Sequence, residues 1–257
     1  MREHRCFQRA NFFFLAWMTL LFAVLPSLGQ AQTLVLSLNQ EEAVQDVAAE
    51  LLTEIYKRAG LKLKIEPSPP ARNTLNVLNN QIDGEVARVG PYFEKKPSLF
   101  KVEPAYYYLT TSAFAKSDRA IVINSKNDLK KYRVGIIRGV IHAEIATEGV
   151  PKLVVTNSVE QLFKVLDIDR IDVAVDVHIN GLDVIRQMNL KGIQPVADLA
   201  KRDFFNVLTS SKADLAPRIS NVIKTMIASG ELATMTQMAE EKRLNAGSGL
   251  GTTQKKK

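Results

Sequence analysis

Cysteine is almost missing from this chain. The single one, Cys6, lies ahead of the first apolar run, so it cannot carry a lipid at a cleavage point behind that run. The rest of the chain must be held by its core rather than by disulfides. Histidine is scarce too, with three in 257 residues. His142 and His178 lack ligand spacing such as His-x-x-x-His, which argues against a metal centre shared with Glu144. No Gly-x-Ser-x-Gly surrounds Ser112, Ser125 or Ser158, and Gly135 and Gly139 are not spaced as a dinucleotide fingerprint. No repeat of fixed period and no Pro/Gly-rich linker is present. The formal charge is +7, but residues 1–31 hold +2 of it and Lys255, Lys256 and Lys257 hold +3. The body keeps only +2, with no basic run interleaved with aromatics, which excludes nucleic acid as a partner. What remains is an ordinary globular composition, 46% hydrophobic and 24% charged, for one large domain or two small ones, with no cofactor or metal implied.

The N-terminus has the make-up of a targeting segment. Arg2, Arg5 and Arg9 precede the apolar stretch from Phe12 to Leu25, Pro26 ends it, and Gly29 and Ala31 are small residues placed for a cut after Ala31. This reads as a secretory signal peptide. The apolar run is short against the roughly 20 residues a membrane span needs, which disfavours the alternative of an uncleaved anchor. The expected location is therefore periplasmic, with a body starting at Gln32.

From there strand and helix alternate. Thr33–Leu38 is β-rich. Glu41–Ala59 is a helix: Val44, Val47, Leu51, Leu52 and Ile55 recur at three and four, acids open it, Lys57 and Arg58 close it, and Gly60 stops it. Leu61–Ile65 is a second strand. Val102–Phe114, with Tyr106, Tyr107 and Tyr108 together, is a long strand able to leave one sheet for another. Further strands are expected at Ile121–Asn124, Arg133–Ile137, Leu153–Val155, Ile171–Val175, Ile193–Val196 and Phe204–Thr209. Helices are expected from His142, at Ser158–Leu166 behind a capping box, at Leu182–Met188, at Asp214–Ala228, and from Glu231 to about Arg243 after Gly230. The tail from Ala246 is of low complexity. This alternation predicts α/β architecture with mainly parallel strands.

The stretch PPARNTLNVLNNQIDGEVARVGPY, Pro69 to Tyr92, organises the chain. A proline pair enters a helix that Leu75, Val77 and Leu78 can pack on a sheet, Asp83-Gly84 turns, and a strand around Arg88 follows. Arg72 at the helix entrance and Arg88 at the strand end both border the crevice where an open α/β sheet binds ligands, and would form an anion-reading wall. Ordinary surface placement is the alternative for each. Tyr92 and Tyr107 could stack on a ligand or serve as packing.

Taken in order, these segments resemble a periplasmic solute-binding protein of the family 3 type, the extracytoplasmic component of importers for amino acids and related polar solutes. The likeness runs from about Thr33 to Met238. It rests on EEAVQDVAAELLTEIYKRAG, PPAR…LNVLNNQIDGEVARV, VEPAYYYLTTSAFAK, DLKKYRVGIIRGVIHAE, SVEQLFKVLDIDRIDVAVD and PRISNVIKTMIASGEL.

The resemblance implies a two-lobed, periplasmic-binding-protein-like (type II) α/β fold with two mainly parallel sheets and crossing strands. Lobe 1 would be 32–111 with 204–245, and lobe 2 would be 112–203. It implies a non-enzymatic monomer that closes on a small polar solute, anionic or zwitterionic, and is read by a membrane permease or a sensor. Arg138 and Gly139 match the family's anion-binding helix start. Asp176 lies near the aspartate that takes the ligand's amino group, but four residues after Asp172 where five is expected, an offset that turns a strand residue to the other face. The family's Thr–x–x–Arg pattern is missing from RVGPYFEKKPSLF. A dehydratase-like enzyme on the same scaffold is the alternative, with Glu85, Glu144 or His142 as its acid.

Overall fold

The structure is a computed structural model that describes residues 33–40 and 42–246. The signal-peptide reading and the tail after Ala246 fall outside those residues. Leu34, Leu36 and Leu38 alternate into the core from β1 (Thr33–Asn39), as a half-covered strand requires. α1 (Ala43–Arg58) buries Val44, Val47, Leu51, Leu52 and Ile55 on one face, and Gly60 closes it at a φ of +65°, a left-handed conformation that side chains other than glycine resist. β2 (Lys62–Ser68), α2 (Pro70–Leu78), β3 (Gly84–Val89) and the short α3 (Gly90–Glu94) follow. In α2 Val77 is buried with Leu78 packed beside it, while Leu75 is 60% exposed, against the expectation that all three would pack on the sheet.

β4 (Leu99–Lys116) and β8 (Ile193–Thr209) are the long elements. They run antiparallel from Leu99 opposite Thr209 to Lys116 opposite Ile193. Between them in the chain come β5 (Val134–Ile137), α4 (Ile141–Ala146), β6 (Leu153–Thr156), α5 (Val159–Asp167), β7 (Val173–Val177) and α6 (His178–Gln187). After β8 come α7 (Ala216–Ala228) and α8 (Glu231–Ala246), with Gly230 at a φ of +76° between them.

The strand order is β2-β1-β3-β8-β4-β7-β5-β6. Both outer groups are parallel, β1 with β2 and β3, and β5 with β6 and β7. The contacts made by the crossing strands are antiparallel. The two expected sheets are thus two halves of one mixed ladder, joined because β4 and β8 stay paired as they cross. One core lies under α1, α7 and α8. Two smaller ones cover the faces of the β5–β7 half, and a fourth lies beneath α2 and α3.

Two expectations about strands need correction. Ile193–Val196 and Phe204–Thr209 are one continuous strand, because the polar residues between them pair through backbone with β4, which leaves no hydrophobic alternation to read. Ile121–Asn124 is not a strand. The amides of Asn124 and Ser125 donate instead to the Asp128 carboxylate at 3.0 Å each, which winds Lys126–Lys131 into a 3-10 turn. Among the described residues no helix is long and apolar enough to cross a membrane.

Candidate functional site

The ends of β1 and β3 and the start of α1 come together in the first half. Asn73 is fully buried and donates to the Leu38 carbonyl at 2.8 Å and the Ser68 carbonyl at 3.1 Å, which pins α2 to the ends of β1 and β2. Its neighbour Arg72 is left exposed and makes no hydrogen bond or ion pair with a described residue. Arg88, the second residue of the expected wall, is turned inward. Its Nε and Nη2 grip Glu85 at 3.0 and 2.7 Å, and Glu85 is only 2% exposed. Tyr92 lies 5.0 Å from the guanidinium and donates its hydroxyl to Thr74 Oγ1 at 3.3 Å. Burial works against the Arg88 charge, and the Glu85 bonds more than restore it.

Glu42 is the residue that sequence reading missed. It precedes α1 and was counted only as one of several acids suited to the helix dipole. Its Oε1 accepts from Asn39 Nδ2 at 3.3 Å. Burial pushes its carboxyl up to about 7, against the pull of Arg88 and Asn39.

From the second half, Asp176 on β7 feels the charge of Glu42. It pairs in register with Ser112 on β4 and is 2% exposed. Its Oδ2 is buried without a hydrogen-bond partner. Burial raises this carboxyl to about 7 as well; the Val177 amide lowers it and the charge of Glu42 raises it further. The two halves also touch directly, since the Val44 amide in the first turn of α1 donates to Asn180 Oδ1 at 3.0 Å.

The remaining predicted residues stand elsewhere. Arg138 and Gly139 are exposed at the start of α4, and the Gly139 amide donates to Glu144 Oε1 at 3.0 Å, so the chain's own acid occupies that helix start. Tyr107 is buried and donates to Glu240 Oε1 at 2.8 Å; burial and that carboxylate raise its pKa far above the usual phenol range. It lines a pocket of about 290 Å³ together with Tyr108, His178, Asp198 and Glu240. Ser112 Oγ donates to Asp198 Oδ1 at 2.6 Å and lies 3.0 Å from His178 Nδ1. Serine and aspartate thus share one ring nitrogen, whereas a nucleophilic relay needs them on opposite nitrogens. Thr111 Oγ1 lies 3.0 Å from His142 Nδ1, and burial with the charge of Arg202 holds that imidazole down to about 4. Among the described residues no group of three His, Cys, Asp or Glu side chains could hold a metal ion.

No protein-family model matches the chain, and no curated protein does. Solved structures do. A histidine kinase sensor domain with similarity to periplasmic binding proteins matches at a TM-score of 0.65 and 18% identity, over 80% of this chain and 95% of its own. An amino acid ABC transporter substrate-binding protein from Streptococcus pneumoniae, bound to L-arginine, matches at 0.65 and 18%, over 82% and 96%. The L-cystine solute receptor of Neisseria gonorrhoeae, in an unliganded open conformation, matches at 0.63 and 16%, over 84% and 95%. At these identities what is shared is the fold. The chain has the α/β fold of periplasmic binding proteins.

Proposed function

We propose that this chain is a periplasmic solute-binding protein that closes its two halves on a small amino-acid-like zwitterion and presents it to an ABC-type importer. The halves would be 32–111 with 204–245 and 112–203, moving about the β4–β8 crossing. The observation that carries the reading is the buried Asp176 carboxyl on β7, whose Oδ2 has no hydrogen-bond partner and which feels the charge of Glu42 from the other half. Burial pushes both Asp176 and Glu42 up to about 7, in Glu42 against the pull of Arg88. Arg88 is already spent on Glu85 and the Gly139 amide on Glu144. The unpartnered Asp176 carboxyl is the charge offered to the ammonium end of a zwitterion. The solved structures of amino-acid-binding proteins with this fold support the same reading.

Thermal denaturation against amino acids, organic acids and polyamines tests it. A ligand at a hundredfold excess over its dissociation constant adds about 2.7 kcal/mol. Stabilisation by ammonium-bearing solutes and none by plain organic acids is the expected pattern, and a flat response to every ammonium-bearing solute refutes it. One observation favours the dehydratase-like alternative: a carboxyl with a pKa near 7 is a competent general acid. Mass spectrometry of hydroxy- and amino-carboxylic acids after incubation with the protein separates the two, since a binder returns them unchanged.

A further inference from the structure

The pocket of about 290 Å³ at Tyr107 stands apart from the candidate site. Its walls come from β4, β8, α6, α8 and the first turn of α1, and none of Glu42, Arg88, Gly139 and Asp176 lines it. Tyr107 and Tyr108 form an aromatic wall, their ring centroids 5.3 Å apart and their planes tilted by 37°. Leu182 of α6 and Leu244 of α8 add apolar surface. A largely apolar recess with a few placed polar groups is the usual form of a small-molecule site.

The polar group without a full set of partners is Glu240. Its Oε1 accepts from the Tyr107 hydroxyl at 2.8 Å, and its second oxygen makes no hydrogen bond with a described residue. Burial, and then the charge of Glu240, raise the Tyr108 hydroxyl as well, so this carboxylate lies beside both phenols. Asp198 adds a second acid, sharing Ser112 with His178. The basic residues of the neighbouring helices are engaged elsewhere: Arg243 with Asp46 and Asp183, Lys242 with Glu50, Arg186 with Asn245. Lys201 of β8 comes nearer. Its Nζ lies 3.5 Å from the centre of the Tyr108 ring, yet it makes no ion pair with a described residue. An ammonium thus already rests on one of these rings, the contact that cation–π attraction favours, while the Glu240 carboxylate stays open.

We propose that this pocket is a second binding site, for a small primary amine with an apolar body. The ammonium would sit on the free oxygen of Glu240, and the body against the tyrosine rings and the two leucines. A charge-assisted hydrogen bond and an aromatic face then act on one group. The site goes beyond the solute reading and does not rest on it, since the zwitterion's ammonium is assigned there to Asp176.

Calorimetric titration of the full chain with phenethylamine, and with phenethyl alcohol as its neutral counterpart, tests this. The parent is expected to bind the amine at least about tenfold tighter than the alcohol. Glu240→Gln, whose amide oxygen still accepts from Tyr107, is expected to lose about that factor toward the amine and nothing toward the alcohol. Equal affinities in the parent, no binding of the amine, or an unchanged amine affinity in Glu240→Gln overturns the proposal. A second measurement uses the parent, which removes any question of misfolding: tyrosine ring resonances are followed by NMR as phenethylamine is added, with Tyr92→Phe, Tyr107→Phe and Tyr108→Phe identifying them. Saturable shifts at Tyr107 and Tyr108 support the site. A shift confined to Tyr92 puts the amine at the Arg88–Glu85 cluster and overturns it, as does no shift. Either failure leaves the zwitterion reading standing on its own thermal-denaturation test.

Discussion

The amide of Val44 donates to the side-chain oxygen of Asn180 at 3.0 Å, so the start of α1 in one half of the sheet is capped by a residue from the first turn of α6 in the other. α1 has no side-chain cap of its own. Under the proposed closure the bond would be made as the halves come together. Asn180→Ala is expected to cost about 0.5–2 kcal/mol, the usual range for a lost cap, and to enlarge the average radius seen by small-angle scattering. An unchanged scattering profile with lowered stability would reduce Asn180 to a local cap.

Acid pH should stabilise this protein through two groups. Asp176 and Glu42 both have folded-state pKa values raised to about 7, from 3.8 and 4.5. Between about pH 4 and pH 7 the folded form therefore binds more protons than the unfolded one, so this contribution to stability falls as pH rises through that window. Asp176→Asn is expected to flatten the fall and to be the more stable protein at pH 8, by at most about 4 kcal/mol for a rise of roughly three units. Urea melts of parent and variant at pH 5 and pH 8 show whether the two lines converge at the lower pH, as they must.

Binding inherits the opposite slope. A cationic group needs the two carboxylates ionised, so affinity for an ammonium-bearing solute should rise from pH 5 to pH 8, with protons released on binding. Calorimetry in two buffers of different ionisation enthalpy measures that release directly. Zero release at pH 6.5 would mean that the solute does not neutralise Asp176 or Glu42.

Breaking the ion pair at Glu85 should be costly. Glu85 is 2% exposed and holds Arg88 by two bonds, so Glu85→Gln leaves a buried guanidinium unpaired, a change expected to cost about 3–5 kcal/mol. Replacing both, as Glu85→Gln with Arg88→Met, should recover much of the loss because no charge is then stranded. A double variant as unstable as the single one would show that the bonds serve packing rather than charge.

The parts of this fold that bury a regular apolar face were legible in the sequence. α1 declared itself by Val44, Val47, Leu51, Leu52 and Ile55, and Gly60 by the stop it imposes. The middle of β8 did not, because its residues are held by backbone pairing to β4 across a solvent-facing crossing rather than by a buried stripe. Arg88 on β3 and Asp176 on β7 stood out in the sequence as candidates, but the partners of the basic candidates did not. An arginine in a sequence looks free, and the acids that neutralise it, Glu85 for Arg88 and Glu144 for the Gly139 amide, are recognisable only once three- and five-residue neighbours are seen to bend back. Glu42 was hidden for the reverse reason. It sat among acids that already had an explanation, and its burial distinguishes it from the half-exposed Asp46.

Arg243 ties the last helix to both halves. Its Nε donates to Asp46 Oδ2 on α1 at 3.1 Å and its Nη1 to Asp183 Oδ1 on α6 at 2.8 Å. The two ends are unequal. Asp46 is half exposed and its pair contributes little, whereas the Asp183 side chain is 8% exposed; burial raises its carboxyl and Arg243 pulls it back. Arg243→Met should therefore act through Asp183, lowering stability by about 1–3 kcal/mol at pH 7, with the loss shrinking as the pH is lowered and Asp183 takes up its proton. Asp183→Asn in the same chain should remove that pH dependence, whereas Asp46→Asn should not. Melting temperatures of the two double variants between pH 4.5 and pH 8 settle which carboxylate matters: if Asp46→Asn rather than Asp183→Asn flattens the profile, the strap is held from α1.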